Sequence, residues 1–423
     1  MSSAAPGATW STRFRALRHR NFRLFWYGQL VSVVGTWMQA VAQLWLMHRL
    51  TDSAFMLGLL GFIQLLPVMP LTLWAGVIAD RMDKRRLITI TQALSLVQAA
   101  LLAVVVSLGV VQPWMVLVLA FVFGTVSAFD LPARQSFLVD LVGKEDLPNA
   151  IALNSAAFNA ARVVGPAVAG IVLAAAGEAT CFWVNAVSYL AVVVVLMRMN
   201  LPPRVADAES PGPGALREGI AYALSVPSIR NLLILLGITS SLGFQYTVLL
   251  PVYARDILHA DEQAYGLMTS AFGLGSLLSG VLMTRKQDRW ALRRNLLIGL
   301  GTSALGMAGF AWSRQLPLTM VMGFLAGFGL ILYVATTNTL LQLTTEDRFR
   351  GRLMGLYTFM FIGTAPVGSL LAGEVAQHWG APIATSISAF VLFGGAVWVF
   401  FRLRVLAARE AAQAVPAFTE KMG

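Results

Sequence analysis

Apolar positions in this chain neither alternate at the two-residue period of a strand nor mark a single narrow helical stripe. They run on in blocks. Predominantly apolar stretches of about 18–25 residues recur from end to end, each long enough to cross a bilayer as a helix. The blocks predict spans near 24–47, 54–79, 87–109, 114–135, 150–174 and 180–199. A second set is predicted near 228–252, 265–284, 295–312, 316–338, 353–374 and 382–403. The expected fold class is therefore an all-α polytopic membrane protein, with twelve transmembrane helices in two pseudo-symmetric six-helix bundles. A transmembrane barrel would need short alternating strands, and the sequence has no such pattern.

Between the two sets lies LPPRVADAESPGPGALREG, rich in Pro, Gly, Ala and acidic residues, which reads as a linker. The expected organisation is a cytoplasmic N-terminal segment (1–23), a first bundle (24–199), a cytoplasmic linker with a short amphipathic helix (200–227), a second bundle (228–403) and a cytoplasmic tail (404–423). The halves echo each other. Gly76-x3-Asp80-Arg81 matches Gly280-x3-Thr284-Arg285, and Glu145-Asp146 precedes Pro166 much as Glu346-Asp347 precedes Pro366. Matched breaks in two membrane halves point to an internal repeat around a shared site.

Composition agrees with the pattern. The chain has 423 residues, 57% hydrophobic and only 12% charged, too few charges to cover a water-exposed surface. Its net charge of +11 would suggest nucleic acid in a soluble protein, but the bases sit in loops beside the spans, so no nucleic-acid partner is expected. Arg81, Lys84, Arg85, Arg86, Arg285, Lys286, Arg289, Arg293, Arg294, Arg348, Arg350 and Arg352 all fall on one side. Only Arg49, Arg255 and Arg314 fall on the other. Because Lys and Arg are retained inside, both termini are expected to be cytoplasmic. The single cysteine, Cys181, excludes an intramolecular disulfide and a CxxC metal site, and His19, His48, His259 and His378 form no ligand set. Neither metal nor cofactor is expected. No nucleophile–base pair or Walker loop is present, so an enzyme and a self-contained ATP-driven pump are both disfavoured.

The charged island GVIADRMDKRR, residues 76–86, needs an explanation beyond topology, because an acidic residue such as Asp80 contributes little to orientation. It resembles the loop signature between the second and third spans of the major facilitator superfamily. Gly76, Asp80, Arg81, Lys84 and Arg85 hold the matching positions. Asp83 stands where that pattern has glycine, and Asp tolerates left-handed backbone better than most residues. NFRLFWYGQLVSVVGTWMQ, FDLPARQSFLVDLV, NAIALNSAAFNAARVVGPAVAG and RGRLMGLYTFMFIGTAPVG resemble the branch of enterobactin-type siderophore exporters and macrolide efflux proteins. The resemblance implies two six-helix bundles rocking about a central cavity lined by the first and fourth span of each half. It also implies a gating role for Asp80, Arg81 and Arg85. An anion at Asp80, at the inner end of the second span, is expected to face the exposed amides that start the eleventh span near Gly351. GPAVAG is similar to the fifth-span signature of antiporters, with Ala169 replacing a glycine, which makes Gly165, Pro166, Gly170 and Pro366 candidate hinge residues.

Gln29, Ser32, Thr36, Gln39 and Gln43 fall at spacings that place them on one face of the first span. Lipid offers no partner to such groups, so the face should meet a watery cavity or bond to neighbouring helices. Trp37 and Trp45 flank the stripe. Gln245, Tyr246, Tyr333, Thr337 and Asn338 are further cavity candidates in the second half. Asp130 and Glu374 lie toward the ends of their expected spans, while Arg162 lies well inside one. An unpaired guanidinium there costs at least about 2.5–3.5 kcal/mol, which predicts an Arg162–Asp130 pair, or else carbonyls loosened by Pro166.

The expected function is secondary export of amphipathic small molecules, siderophore- or drug-like, across the cytoplasmic membrane of a bacterium. The expected partners are the substrate, the bilayer and protons coupled through Asp130, with the monomer as the working unit. Nutrient uptake by the same fold, or a non-transporting scaffold or receptor, are the alternatives.

Overall fold

The computed structural model describes residues 14–71, 82–199, 215–283 and 288–419. Among them every regular element is helical. The gating-loop positions Gly76, Asp80 and Arg81, and their counterparts Thr284 and Arg285, lie outside the described residues. So does the end of the second expected span. Among the described residues ten helices are long and apolar enough to cross a membrane, and the described part of each expected span falls on one of them.

The chain divides into two compact units, residues 1–212 with 250–270, and residues 213–249 with 271–423. The first unit contains α1 (Arg20–Thr51), α2 (Ala54–Leu65), α3 (Lys84–Ser107) and α4 (Pro113–Met197). The chain turns from α1 to α2 through Asp52, which adopts φ 46°, and Ser53, whose hydroxyl accepts from the Met56 amide at 3.3 Å. Such an N-cap satisfies one amide the helix cannot, typically about 1 kcal/mol. α4 covers the expected fourth, fifth and sixth spans in one continuous run. It is broken only at Gly143 (φ 73°) and Gly177 (φ 75°), where a side chain would be strained. Pro132, Pro148 and Pro166 all sit inside helical stretches of this run.

Asp83 immediately precedes α3. Its φ is −58°, not left-handed, and its carboxylate caps α3 by accepting from the Arg86 amide at 2.7 Å. Carboxylates serve such a start well because the first-turn amides lack partners and carry partial positive charge. In the second half Asp288 caps the matching helix, Arg289–Trp312, through the Ala291 amide at 2.6 Å. Lys84 pairs with Asp140 at 3.3 Å and donates to the Ser136 carbonyl, and Arg85 donates to the Met197 carbonyl at 2.9 Å. Both bases therefore tie α3 to α4.

The core of the first unit joins α1, α3 and α4, with Phe25 set edge-on to Phe137 at 5.5 Å. Large apolar side chains are meanwhile exposed, among them Leu94, Val118 and Val187. Outward hydrophobics on this scale suit helices solvated by lipid.

The second unit opens with α5 (Ala215–Ser225), a short helix inside the linker. Tyr222 of α5 stacks on Phe349 at 4.1 Å, its hydroxyl accepts from the Glu346 amide, and Glu218 pairs with Arg352. Pro366 does not mirror Pro166. It lies in the first turn of the helix Ala365–Trp379, just after a π-helical stretch, Phe359–Gly363, whereas Pro166 lies within unbroken helix.

Candidate functional site

Gln29, Thr36, Gln39 and Gln43 line a cavity of ≈ 510 Å³ within the first unit. That volume lies in the range of small-molecule sites. Ser32 shares the face but is buried without lining the cavity. Trp37 lines it as well, while Trp45 is buried and stacks on Tyr265 at 5.4 Å.

Residues of the stripe also bond to neighbouring helices. The Thr36 hydroxyl and the Tyr189 hydroxyl are 3.0 Å apart. Asn185 donates to the Gln39 carbonyl at 2.8 Å, and the Gln39 amide donates in turn to Gln98 at 3.0 Å. Gln39 thereby links α1 to α3 and to the last stretch of α4. Gly35 lets these helices meet: a Cβ there would stand 2.5 Å from Asn185 Oδ1 and 2.7 Å from Ser188 Oγ.

Asp130 is buried, and helix extends on both sides of it, from Pro113 to the break at Gly143. It is not toward the end of its helix, as the expected boundary at 135 implied, because the helix runs on to the break at Gly143. Its charge is paired with Arg134, one turn further along the same helix. Thr91 and Gln92 of α3 donate to its Oδ1 at 2.6 and 3.1 Å. Arg134 also donates to the Gln29 carbonyl on α1.

The expected Arg162–Asp130 pair is not formed. Arg134 takes that place because a residue four positions on lies on the same helix face, so the pair closes without bridging two elements. The half-buried Arg162 instead lies over the Trp37 ring, 6.0 Å from its centroid, a cation–π contact with the first span. Gly165 also packs on Trp37: its Cβ position is 2.5 Å from the Trp37 Cβ.

The second-half candidates are engaged within their own unit. Gln245 donates to the Ser240 carbonyl and accepts from Ser369 at 2.8 Å, and Tyr246 stacks on Phe272 at 3.9 Å. The Tyr333 hydroxyl is 3.2 Å from Thr239, Thr337 bonds back to the Tyr333 carbonyl, and Asn338 accepts from Gln342.

Arg134, Gln135, Gln64, Asn154, Ser155 and Asn159 complete the polar lining and were not foreseen. The Asp130-x3-Arg134 spacing was the available signal for the first of these. Phe25, Val33, Trp37, Phe123, Leu131 and Phe158 are apolar members of the same lining. No cluster of His, Cys, Asp or Glu among the described residues could hold a metal ion.

The family model described as transmembrane secretion effector matches residues 11–422. The chain is similar to the staphyloferrin A transporter of Staphylococcus aureus, 24% identical over 85% of this chain and 90% of that protein. It is 28% identical to the multidrug efflux pump Tap of Mycolicibacterium fortuitum, over 90% of this chain and 96% of the pump. Among solved structures, the nucleoside transporter NupG superposes with a TM-score of 0.69 at 12% identity, covering 90% and 98% of the two chains, which bears on fold alone. A multi-pass helical chain with a polar cavity among its spans, matched over nearly its whole length, is a transporter and not an enzyme: it belongs to the transmembrane secretion effector family of the major facilitator superfamily.

Proposed function

We propose that this protein exports amphipathic small molecules, siderophore- or drug-like, across the cytoplasmic membrane by alternating access, driven by protons. The observation that carries the reading is the first-unit cavity, whose lining combines amides and a guanidinium with aromatic rings. A molecule with one polar and one apolar end suits such a wall. The names of the relatives, a siderophore transporter and a multidrug efflux pump, favour the same substrates.

Asp130 is the proposed proton site. A buried carboxylate in a spanning helix is costly and is usually retained for function. Protonating it would release Arg134 from its ion partner, so proton and substrate binding would meet at one side chain. Lys84 and Arg85, with Gly76, Asp80 and Arg81 before them, are the proposed gating loop. Gly165, Pro166, Gly170 and Pro366 are the proposed points of flexing. Cytoplasmic termini and a monomeric working unit are part of the same proposal.

The test is flux in proteoliposomes under an imposed pH gradient, using fluorescent dyes, macrolides and siderophores. Gradient-driven movement of at least one class is expected, and no movement of any would end the exporter reading. Asp130→Asn should retain downhill exchange and lose gradient-driven accumulation. If accumulation survives, Asp130 is not the coupling site.

A further inference from the structure

The second unit has a cavity of its own, of ≈ 390 Å³, lined from four helices: Pro227–Leu242, Arg289–Trp312, Leu316–Thr344 and Ala381–Thr419. The first two reach it with their opening turns and the third with its closing turns, so the cavity lies at one end of these spans. Ends of spanning helices stand at the level of lipid headgroups. Leu232, Leu296, Leu340 and Leu403 give the cavity an aliphatic wall, and Arg293 and Arg402 line the same space. None of the lining residues is acidic.

Arg402 is exposed, so its charge is within reach of a ligand. Among the described residues no carboxylate pairs with it, and its guanidinium lies over the Trp398 ring, 5.5 Å from the centroid. Trp398 precedes Arg402 by one turn, so one helix face builds this contact. A guanidinium stacked by its face keeps its N–H edge free, and that edge fits phosphate oxygens. Arg293, half-buried, brings a second guanidinium to the cavity from a different helix. The helix Pro227–Leu242 also begins there, with Val226 as an N-cap that offers no side-chain bond. Its first turn adds partial positive charge.

We propose that this cavity binds an anionic diacyl phospholipid, its phosphate on Arg402 and Arg293 and the start of one acyl chain along the leucines. The occupant is a lipid because the same cavity offers both surfaces and its four helices are membrane spans. A soluble phosphate would use the charges and leave the leucines uncovered. A choline head cancels the charge of its own phosphate and is a weaker match. Each basic residue near a membrane surface favours anionic lipid by about fivefold. The site uses no residue of the proposed transport path.

The test is native mass spectrometry of the full chain in detergent, offered phosphatidylglycerol and phosphatidylcholine with identical acyl chains. The wild type should retain phosphatidylglycerol at least fivefold more than phosphatidylcholine. Arg402→Gln should lower phosphatidylglycerol retention about fivefold and leave phosphatidylcholine unchanged. Excess glycerol 3-phosphate should displace neither. Equal retention of the two lipids by the wild type overturns the proposal, and so does unchanged retention in folded Arg402→Gln. Displacement by glycerol 3-phosphate overturns it too, since the site would then take a soluble phosphate. Should Arg402→Gln fail to fold, Ser228→Asp replaces it. A carboxylate suits the first turn of a helix but repels phosphate, and the same loss is then required. Dye flux in proteoliposomes reads export separately, so failure here leaves the exporter reading standing.

Discussion

Arg134 pairs with Asp130 one helical turn before it, and the pair is held from two other helices, by Thr91 and Gln92 on one carboxylate oxygen and by Gln29 at the guanidinium. Removing one partner strands the other. Arg134→Met should cost roughly 3–5 kcal/mol, because a buried carboxylate is left without its counter-ion. Asp130→Asn combined with Arg134→Met should recover most of that loss. Thermal unfolding of the singles and the double measures the coupling. Additive losses would show that the ion pair contributes nothing beyond its separate groups.

Gly35 gives a sharper steric test. Alanine there would crowd Asn185 Oδ1 and Ser188 Oγ, and its Cβ would also lie 3.3 Å from the Asn185 backbone. The hydroxyl and amide must move, and with them the bond from Asn185 to Gln39. Overpacking of this kind costs about 1–3 kcal/mol. A fall in melting temperature is expected. Unchanged stability would mean that the helices separate freely at this point.

Within the first unit, residues 250–270 are held by charged contacts as well as packing. His48 Nε2, almost fully buried, lies 3.0 Å from Asp256 but off hydrogen-bond alignment, and Arg255 lies 3.0 Å from Asp52. Tyr265 stacks on Trp45, and the Ser270 hydroxyl donates to the Val163 carbonyl. Asp256→Ala should loosen this seam. In a Cys181→Ala background, a reporter cysteine at the buried Tyr253 should then label severalfold faster. Equal labelling rates would show that the apolar contacts hold the segment unaided.

The linker helix separates two kinds of contact. Glu218–Arg352 is an exposed ion pair, and such pairs contribute about 0–1 kcal/mol because water and salt screen them. Tyr222 adds ring stacking on Phe349 and a bond to the Glu346 amide. Tyr222→Ala should therefore destabilise the second unit by about 1–2 kcal/mol, combining a lost aromatic pair with a lost hydrogen bond. Glu218→Gln should change the melting temperature little. The reverse order would put the weight on the charge.

Much of this protein was legible in its sequence. A helix across lipid must be apolar for its full length and must satisfy its own backbone, so the spans and the all-helical class follow from composition and block length. The stripe on the first span was legible too, because helical period alone brings Gln29, Thr36, Gln39 and Gln43 to one face. Partners are a different matter. Periodicity says which way a side chain points along its own helix, not which neighbour meets it. Arg162 therefore looked like the counter-ion of Asp130, while the fold gave that place to Arg134 and set Arg162 over Trp37. Asp83 read as a tolerated stand-in for glycine, yet it caps α3, a role that depends on where the helix begins. The cavity that gathers Arg293 and Arg402 was likewise invisible, since the two lie on separate helices far apart in the chain. The sequence by itself determined the solvent of each helix and its inward face, because hydrophobicity and helical period are local properties. Only the tertiary structure decided which polar groups pair and which stay open, because pairing depends on distances between elements far apart in the chain.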